Sequence, residues 1–425
     1  MNLAAIPIVV FVACYGLFVY FPRHRSWIAC GGSLVLLFTG ALSWHEALTE
    51  CVQWNVIALF FGTLILAELF MQSRMPAVIA EWFVDRTSTL RGAMLAICAL
   101  SGLISIFVEN VAVVLLVAPV AMSLAEKLKI SPRRLIILIA MSSNLQGTAT
   151  LIGDPPSMIL AGHMKLTFND FFVYQGRPGI FFAVQIGALA SICVAALMLR
   201  EHRQPIELIP VERTRSLVPT SLMIGLVFGL STTSVFDPEF KWLAGTLTLC
   251  LAATGLLWYR FQAHWGSLRR LLTTLDWDTT FFLIGVFIIV GALSKAGLLE
   301  IVAAHLASAA GGHILYAFIL IVAIALLVSG FVDNVPFLLA MIPVAEKMAL
   351  SLDTPVPLLM FALLVGACLG GNITPIGASA NVVAVGLLRK RGEPVAFREF
   401  MAVGFPFTAA AVVSACVWIW LIWAH

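Results

Sequence analysis

Charge is what this sequence has least of. Asp, Glu, Lys and Arg make up 11% of its 425 residues, against 61% hydrophobic ones, a balance far outside that of soluble globular domains. A soluble protein is thereby excluded. Paired cysteines are missing too. The eight, at 14, 30, 51, 98, 193, 250, 368 and 416, show no CxxC spacing and mostly lie in apolar stretches, which argues against a disulfide framework or zinc site; no metal ligands are assigned. None of the eight histidines (24, 45, 163, 202, 264, 305, 313, 425) falls in the middle of an apolar run, so a histidine proton relay has no candidate. No Walker loop or other nucleotide signature is present, which excludes direct ATP drive by this chain. The longest polar connection, Arg200 to Ser216, is only a loop. The chain therefore reads as a secondary transporter: not an enzyme, with no catalytic set, no cofactor and no nucleic-acid partner.

What is present is apolar length. Runs of about 16 to 21 residues recur at roughly 4–20, 27–43, 54–71, 180–199, 217–235, 241–259, 279–293 and 403–423, suited to α-helices crossing a slab about 30 Å thick. The first lacks a basic leader and a small-residue cleavage site, and is read as a retained helix. The fold class expected is an all-α polytopic membrane protein, with the lipid bilayer as its solvent.

The chain also repeats. "SIFVENVAVVLLVAPVA" from Ser105 matches "SGFVDNVPFLLAMIPVA" from Ser329, placing Glu109 on Asp333, Asn110 on Asn334 and Pro119 on Pro343. "GTATLIGDPPSM" from Gly147 matches "GNITPIGASANV" from Gly371 at the same offset of 224, and "WNVIALFFGTLI" from Trp54 matches "WDTTFFLIGVFI" from Trp277 at 223. Three ordered matches at nearly one offset predict two related halves. Each half reads as three helices, a helical hairpin with the acid-Asn pair at its tip, a broken helix and a closing helix. The first half covers 1–199, with its hairpin at 93–125 and broken helix at 134–162; a loop follows at 200–216. The second half covers 217–425, with its hairpin at 314–348 and broken helix at 357–388. The limb Ala93 to Val108 gives about 24 Å of helix, short of a full crossing, which favours a re-entrant hairpin.

Five crossings per half make the repeat inverted. All but five of the 25 basic residues (Lys165, Arg177, Lys241, Lys295 and Lys347 are the exceptions) then fall on one face, which the positive-inside rule assigns to the cytoplasm. Both termini are expected outside, the first hairpin opening to the cytoplasm and the second to the periplasm.

An ionised acid at the bilayer centre costs about 2.5 to 3.5 kcal/mol. Glu68, Glu109, Asp154 and Asp333 are the acids placed there. Glu109 and Asp333 recur at both tips, so they are the leading proton-coupling or cation-binding candidates, with Asn110 and Asn334 as amide ligands; tying the hairpin turn is the bland alternative. Asp154 precedes Pro155 and Pro156, an ordinary helix start, and its repeat partner is Ala378; structural and coupling roles stay open for it. Glu68 is a weak candidate. The Gly/Thr/Pro stretches 146–156 and 370–381 read as unwound segments lining a cavity. There Thr148, Thr150, Asn372, Thr374, Ser379 and Asn381 offer hydroxyl and amide groups to a solute.

These motifs, "FVENVAVVLLVAPV", "GTATLIGDPPSMIL", "FVDNVPFLLAMIPV" and "GNITPIGASANVV", resemble those of the ion transporter superfamily, in the branch holding the ArsB arsenite/antimonite pumps, the NhaD sodium/proton antiporters and the P protein. The related dicarboxylate carriers have Ser-Asn-Thr at both tips, where this chain has acids, and the departure favours proton exchange. Ser157 stands where many relatives have Asn. The compact chain is most similar to an ArsB pump. That resemblance implies export of neutral As(OH)3 or Sb(OH)3 for protons across the inner membrane by an elevator-type motion, powered by the proton motive force. Sodium coupling is the alternative. It leaves open a cytoplasmic ATPase subunit and a homodimer as partners. Cys368 is the thiol nearest the unwound loops, a weak candidate for arsenic contact.

Overall fold

The structure, a computed structural model, describes residues 5–202, 204–205, 214–263 and 265–425. Arg203, Arg213, His264 and much of the loop expected at 200–216 lie outside the described residues, as does Ala4 of the first apolar run.

Among the described residues there are twenty α-helices. The first ten are α1 (Ala5–Tyr20), α2 (Arg25–Phe38), the single turn α3 (Trp44–Glu46), α4 (Trp54–Gln72), α5 (Met75–Val84), α6 (Leu90–Ser105), α7 (Asn110–Lys127), α8 (Arg133–Gly147), α9 (Pro155–Met164) and α10 (Ile180–Met198). The second ten are α11 (Val218–Phe236), α12 (Leu243–Trp258), α13 (Leu268–Thr274), α14 (Trp277–Lys295), α15 (Leu298–Ala309), α16 (Ile314–Ser329), α17 (Asn334–Ser351), α18 (Val356–Gly370), α19 (Ser379–Lys390) and α20 (Phe397–Trp423). Six stretches are long and apolar enough to cross a membrane: α4, α10, α11, α14, α20, and α18 with the turn after it. A minimal antiparallel pair, β1 (Val173–Tyr174) and β2 (Arg177–Pro178), precedes α10.

Local geometry repeats between the two sets. The hairpin limbs α6 and α16 have 16 residues each, and α7 and α17 have 18. The short helices α5 and α15 were not expected from the sequence, which ran three helices straight into each hairpin. Both begin after a left-handed residue, Arg74 (φ 62°) and Gly297 (φ 76°). Such a residue ends the preceding helix and turns the chain. At 10 and 12 residues, neither helix can span the hydrocarbon core.

The packing divides the molecule into an outer and an inner group. Outside, α2 packs on α14 and α4 on α12, so the halves exchange helices. Inside, α6 packs on α8 and α16 on α18, while α9 leans on α17 and α19 on α7. Each broken helix is thus braced by its own hairpin and by the opposite one. Pro357 to Gly370 of α18 is buried throughout, which a helix with no polar face requires. The unwound segments strap onto the hairpin tips: Thr150 Oγ1 donates to the Ile106 carbonyl at 2.5 Å, and Thr374 Oγ1 to that of Gly330. At Gly153 a Cβ would strike the Gly147 and Ser105 carbonyl oxygens, and at Gly377 those of Gly371 and Gly330. Only glycine lets segment and tip come this close.

Candidate functional site

Six helices begin at one small cavity. Its lining includes Arg25 at the start of α2, Glu109 to Val111 at α7, Asp154 to Pro156 at α9, Asp276 and Thr279 at α14, Asp333 to Val335 at α17, and Gly377 to Ala380 at α19. Its free volume is about 70 Å³, room for a few waters or one small solute. Each helix N-terminus carries roughly half a positive charge and unpaired N–H groups. Four of the six cap residues, Glu109, Asp154, Asp276 and Asp333, are acids. The convergence of positive dipole ends is the physical reason acids are tolerated there.

The acids are held differently. Glu109 Oε2 accepts from the Ala112 N–H at 3.1 Å, and Asp333 Oδ1 from that of Val335 at 3.0 Å. Asp154 makes no side-chain cap bond to its own helix; it lies within electrostatic reach of Glu109 and Asp333 and faces the Asn110 amide. Arg25 is the cation among them. Its Nη1 donates to Asp333 Oδ2 at 2.5 Å, Nε to Asp278 Oδ2 at 3.0 Å and Nη2 to Thr279 Oγ1 at 2.7 Å. Thr279 Oγ1 in turn donates to Asp276 Oδ2 at 2.5 Å, and Ser26 Oγ donates to Asp278. Asp276 and Ser379 of the lining are exposed, as is Asp278 beside them.

Of the residues expected from the sequence, the structure brings together Glu109, Asn110, Asp154, Asp333, Asn334 and Ser379. The amide of Asn110 is already engaged, accepting from Ser105 Oγ at 2.6 Å, and that of Asn334 accepts from Ser329. It does not bring Thr148, Thr150, Asn372, Thr374 and Asn381 to the cavity. All five are fully buried, and their polar atoms bond backbone carbonyls of α8, of the hairpin tips and of the second unwound segment. Thr148 donates to the Asn144 carbonyl, Asn372 to that of Met141, and Asn381 to those of Gly371 and Thr374. Buried polar side chains take the nearest backbone acceptors, which here lie away from the cavity. Glu68 is also elsewhere, accepting from Gln72 Nε2 at 2.8 Å on its own helix. Ser157 donates to the Thr148 carbonyl, and Cys368 is buried in α18.

Sequence reasoning missed Arg25, Asp276, Thr279 and Asn144. Arg25 counts there as one more cytoplasmic-face charge. The available signal was "DWDT" at 276–279, two acids at the start of an apolar helix on the face assigned to positive residues. Asn144, buried in the last turn of α8, donates through Nδ2 to Asn372 Oδ1 at 2.7 Å and Asn381 Oδ1 at 3.0 Å, tying α8 to the second unwound segment and to α19.

A second cavity of about 480 Å³ lies between α14 and the 42–53 connection on one side and α9 and α17 on the other. Polar links join residues within each wall: Lys295 Nζ to Glu46 Oε1 at 2.5 Å, and His163 Nε2 to Glu346 Oε2 at 2.8 Å. The Lys295 ammonium, with the Ser43 N–H and hydroxyl, holds the Glu46 carboxyl down at about 2. That pair is therefore intact above the ordinary glutamate range and fades only as pH falls through about 2.

The citrate transporter family profile (CitMHS) matches residues 15–270 and 241–424. Uncharacterized transporters of Mycobacterium bovis and Mycobacterium tuberculosis are each 31% identical over 99% of this chain and 98% of their own. The human P protein is 27% identical over 97% of this chain and 59% of its own length. Among solved structures, the YdaH transporter of Alcanivorax borkumensis superposes with a TM-score of 0.64 at 15% identity, covering 91% of this chain and 88% of that one. MtrF of Neisseria gonorrhoeae, from a class of antimetabolite efflux pumps, gives 0.59 at 12% identity, covering 92% and 85%. These two likenesses are of fold.

Proposed function

Because this chain belongs to the citrate transporter family, and is a membrane transporter and not an enzyme, we propose that it is a proton-coupled secondary transporter with Glu109, Asp154 and Asp333 as its coupling acids. The observation that carries this is the convergence of all three on one cavity of about 70 Å³ with a single arginine.

The chemistry of the carboxylates supplies the coupling. An ionised carboxylate only accepts hydrogen bonds, and a proton on it occupies the same lone pairs. A solute that donates O–H groups competes with protons for those sites, and competition is exchange. Arsenite and antimonite, as neutral trihydroxides, are such donors and are small enough for the cavity. Their export for protons is the reading we favour within the ArsB resemblance, with the inner α6–α9 and α16–α19 group moving elevator-fashion against the outer helices. The membrane is the cell inner membrane, with both termini outside, and the proton is preferred over sodium as the coupling ion. The thiol-free picture fits Cys368, which is buried in α18; loss of arsenite transport in a folded Cys368→Ser protein would remove it.

A second reading has its own support. The family name points to citrate, and six helix N-termini suit an oxyanion once the acids bearing on them are neutral. A carboxylate solute is an acceptor, so it binds with protons and not against them, giving symport. The sign of the coupling therefore separates the two. In inverted vesicles, arsenite-driven proton exchange supports the first reading, and protons moving with citrate support the second. Sodium-driven proton flux with neither solute would replace both. Unchanged concentrative transport in Glu109→Gln and Asp333→Asn would remove proton coupling at these acids.

A further inference from the structure

Arg25 is the cation of the lining, and the coupling scheme gives it no task. It stands at the first position of α2, where the helix dipole disfavours a cation, and is held by three acceptors. Two of them, Asp278 and Thr279, belong to the first turn of α14, packed on α2 in the outer group. The third, Asp333, caps α17, the inner hairpin limb that packs on α18 and α9. The guanidinium therefore stays with the outer helices whatever happens to Asp333, because α14 keeps two of its three bonds. The opposite tip differs. Glu109 takes its bond from the Ala112 N–H, and α12, the helix in the place of α2, starts with Leu243.

We propose that Arg25 is a positioning residue that latches the second hairpin to the outer helices through Asp333, and that a proton on Asp333 opens the latch. Taking a proton removes the charge that Arg25 pairs with and leaves Arg25 on Asp278 and Thr279. The tip then keeps one polar link to α1, in which the Tyr15 hydroxyl donates to the Pro336 carbonyl at 2.5 Å; that link is indifferent to the proton. The other titratable groups facing the pair are Asp276 and Asp278 at α14, Glu109 at α7 and Asp154 at α9. This inference rests on the reading of Asp333 as a coupling acid. It adds how occupancy of that acid governs motion.

The test is amide hydrogen exchange on the full chain in lipid nanodiscs at acid and alkaline pH, corrected for intrinsic exchange and read at residues 330–336. In the natural chain, protection there should fall roughly tenfold from alkaline to acid pH. Arg25→Met should show the low value at both, Asp333→Asn should match it, and the double variant should fall no further. Arg25→Lys should restore part of the pH response, which distinguishes a lost latch from a misfolded protein. Natural protection and pH response in Arg25→Met, or losses that simply add in the double variant, would overturn the latch. The readout is hairpin motion and not flux. Proton-coupled transport with a hairpin indifferent to Arg25 removes the latch alone, whereas an Arg25-dependent pH response in a chain that moves no protons with any solute removes the coupling reading alone.

Discussion

At the residue scale, the question is what an acid gains at membrane depth. Glu109 and Asp333 each obtain a backbone N–H and the positive end of a helix, which together return part of the cost of burying charge. Asp154 has no cap bond of its own and lies beside two other acids, so it is the carboxylate whose presence the fold explains least. Asp154→Asn should accordingly leave thermal unfolding in detergent within about 1 kcal/mol of the natural chain. Coupled flux in proteoliposomes should drop about tenfold or more, if the acid is part of the coupling set. A variant that loses stability while keeping flux would assign Asp154 to structure. Asn144 offers the contrasting case. Its amide bonds two buried side-chain oxygens across the halves, and removing it strands both. Asn144→Ala should cost about 2 to 4 kcal/mol, read as a lowered unfolding midpoint.

At the scale of elements, the helix pairs α6–α7 and α16–α17 and the breaks after α8 and α18 were legible because one offset of 224 pairs Glu109 with Asp333 and Gly153 with Gly377. The short α5 and α15 were not, because ten or twelve apolar residues beside a longer run look like its continuation. Only the left-handed backbone at Arg74 and Gly297 separates them. Three of the cavity's four acids, Glu109, Asp154 and Asp333, were legible by type, and of the eight polar residues expected beside them only Asn110, Asn334 and Ser379 line it. Sequence can report that Thr150 or Thr374 lies in an unwound stretch, but which carbonyl takes its hydrogen bond is decided by the neighbouring hairpin tip. Arg25 and Asp276 escaped for the converse reason: residues at the start of an apolar helix read as loop charges, and their helices begin at the cavity. Close approach of segment and tip gives a test at this scale. A methyl group at Gly377 meets the Gly371 oxygen at 2.7 Å and the Gly330 oxygen at 2.8 Å, neither of which can yield without moving the tip. Gly377→Ala should destabilise by about 1 to 3 kcal/mol, whereas Gly386→Ala, with open space around its Cβ, should be neutral or slightly stabilising.

At the scale of the whole molecule, the ion pairs bear on orientation. Loops assigned to the cytoplasm by their basic residues meet one another: Arg133 pairs with Glu393 and Glu399, and Arg391 with Glu126. Loops assigned to the other face do the same. Lys165 and Lys241 both pair with Glu239, Lys295 with Glu46, and Lys347 with Glu300. Arg177 Nη1 donates to the carbonyls of Ile422 at 2.9 Å and His425 at 2.7 Å, which sets the C-terminus beside β2 and with that second group. A charge count assigns faces from sequence alone, while ion pairs require spatial proximity, so the two arguments are independent. Both group the same loops, and the grouping makes the orientation testable without knowledge of the solute. With the exposed Cys193 and Cys250 replaced by serine, His425→Cys should react with a membrane-impermeant maleimide in intact cells, and Lys390→Cys only after permeabilisation. The reverse pattern would turn the molecule over in the membrane. Reaction of both positions, or of neither, in intact cells would put the C-terminus and the end of α19 on the same face, leaving α20 unable to span and the five-crossing count wrong.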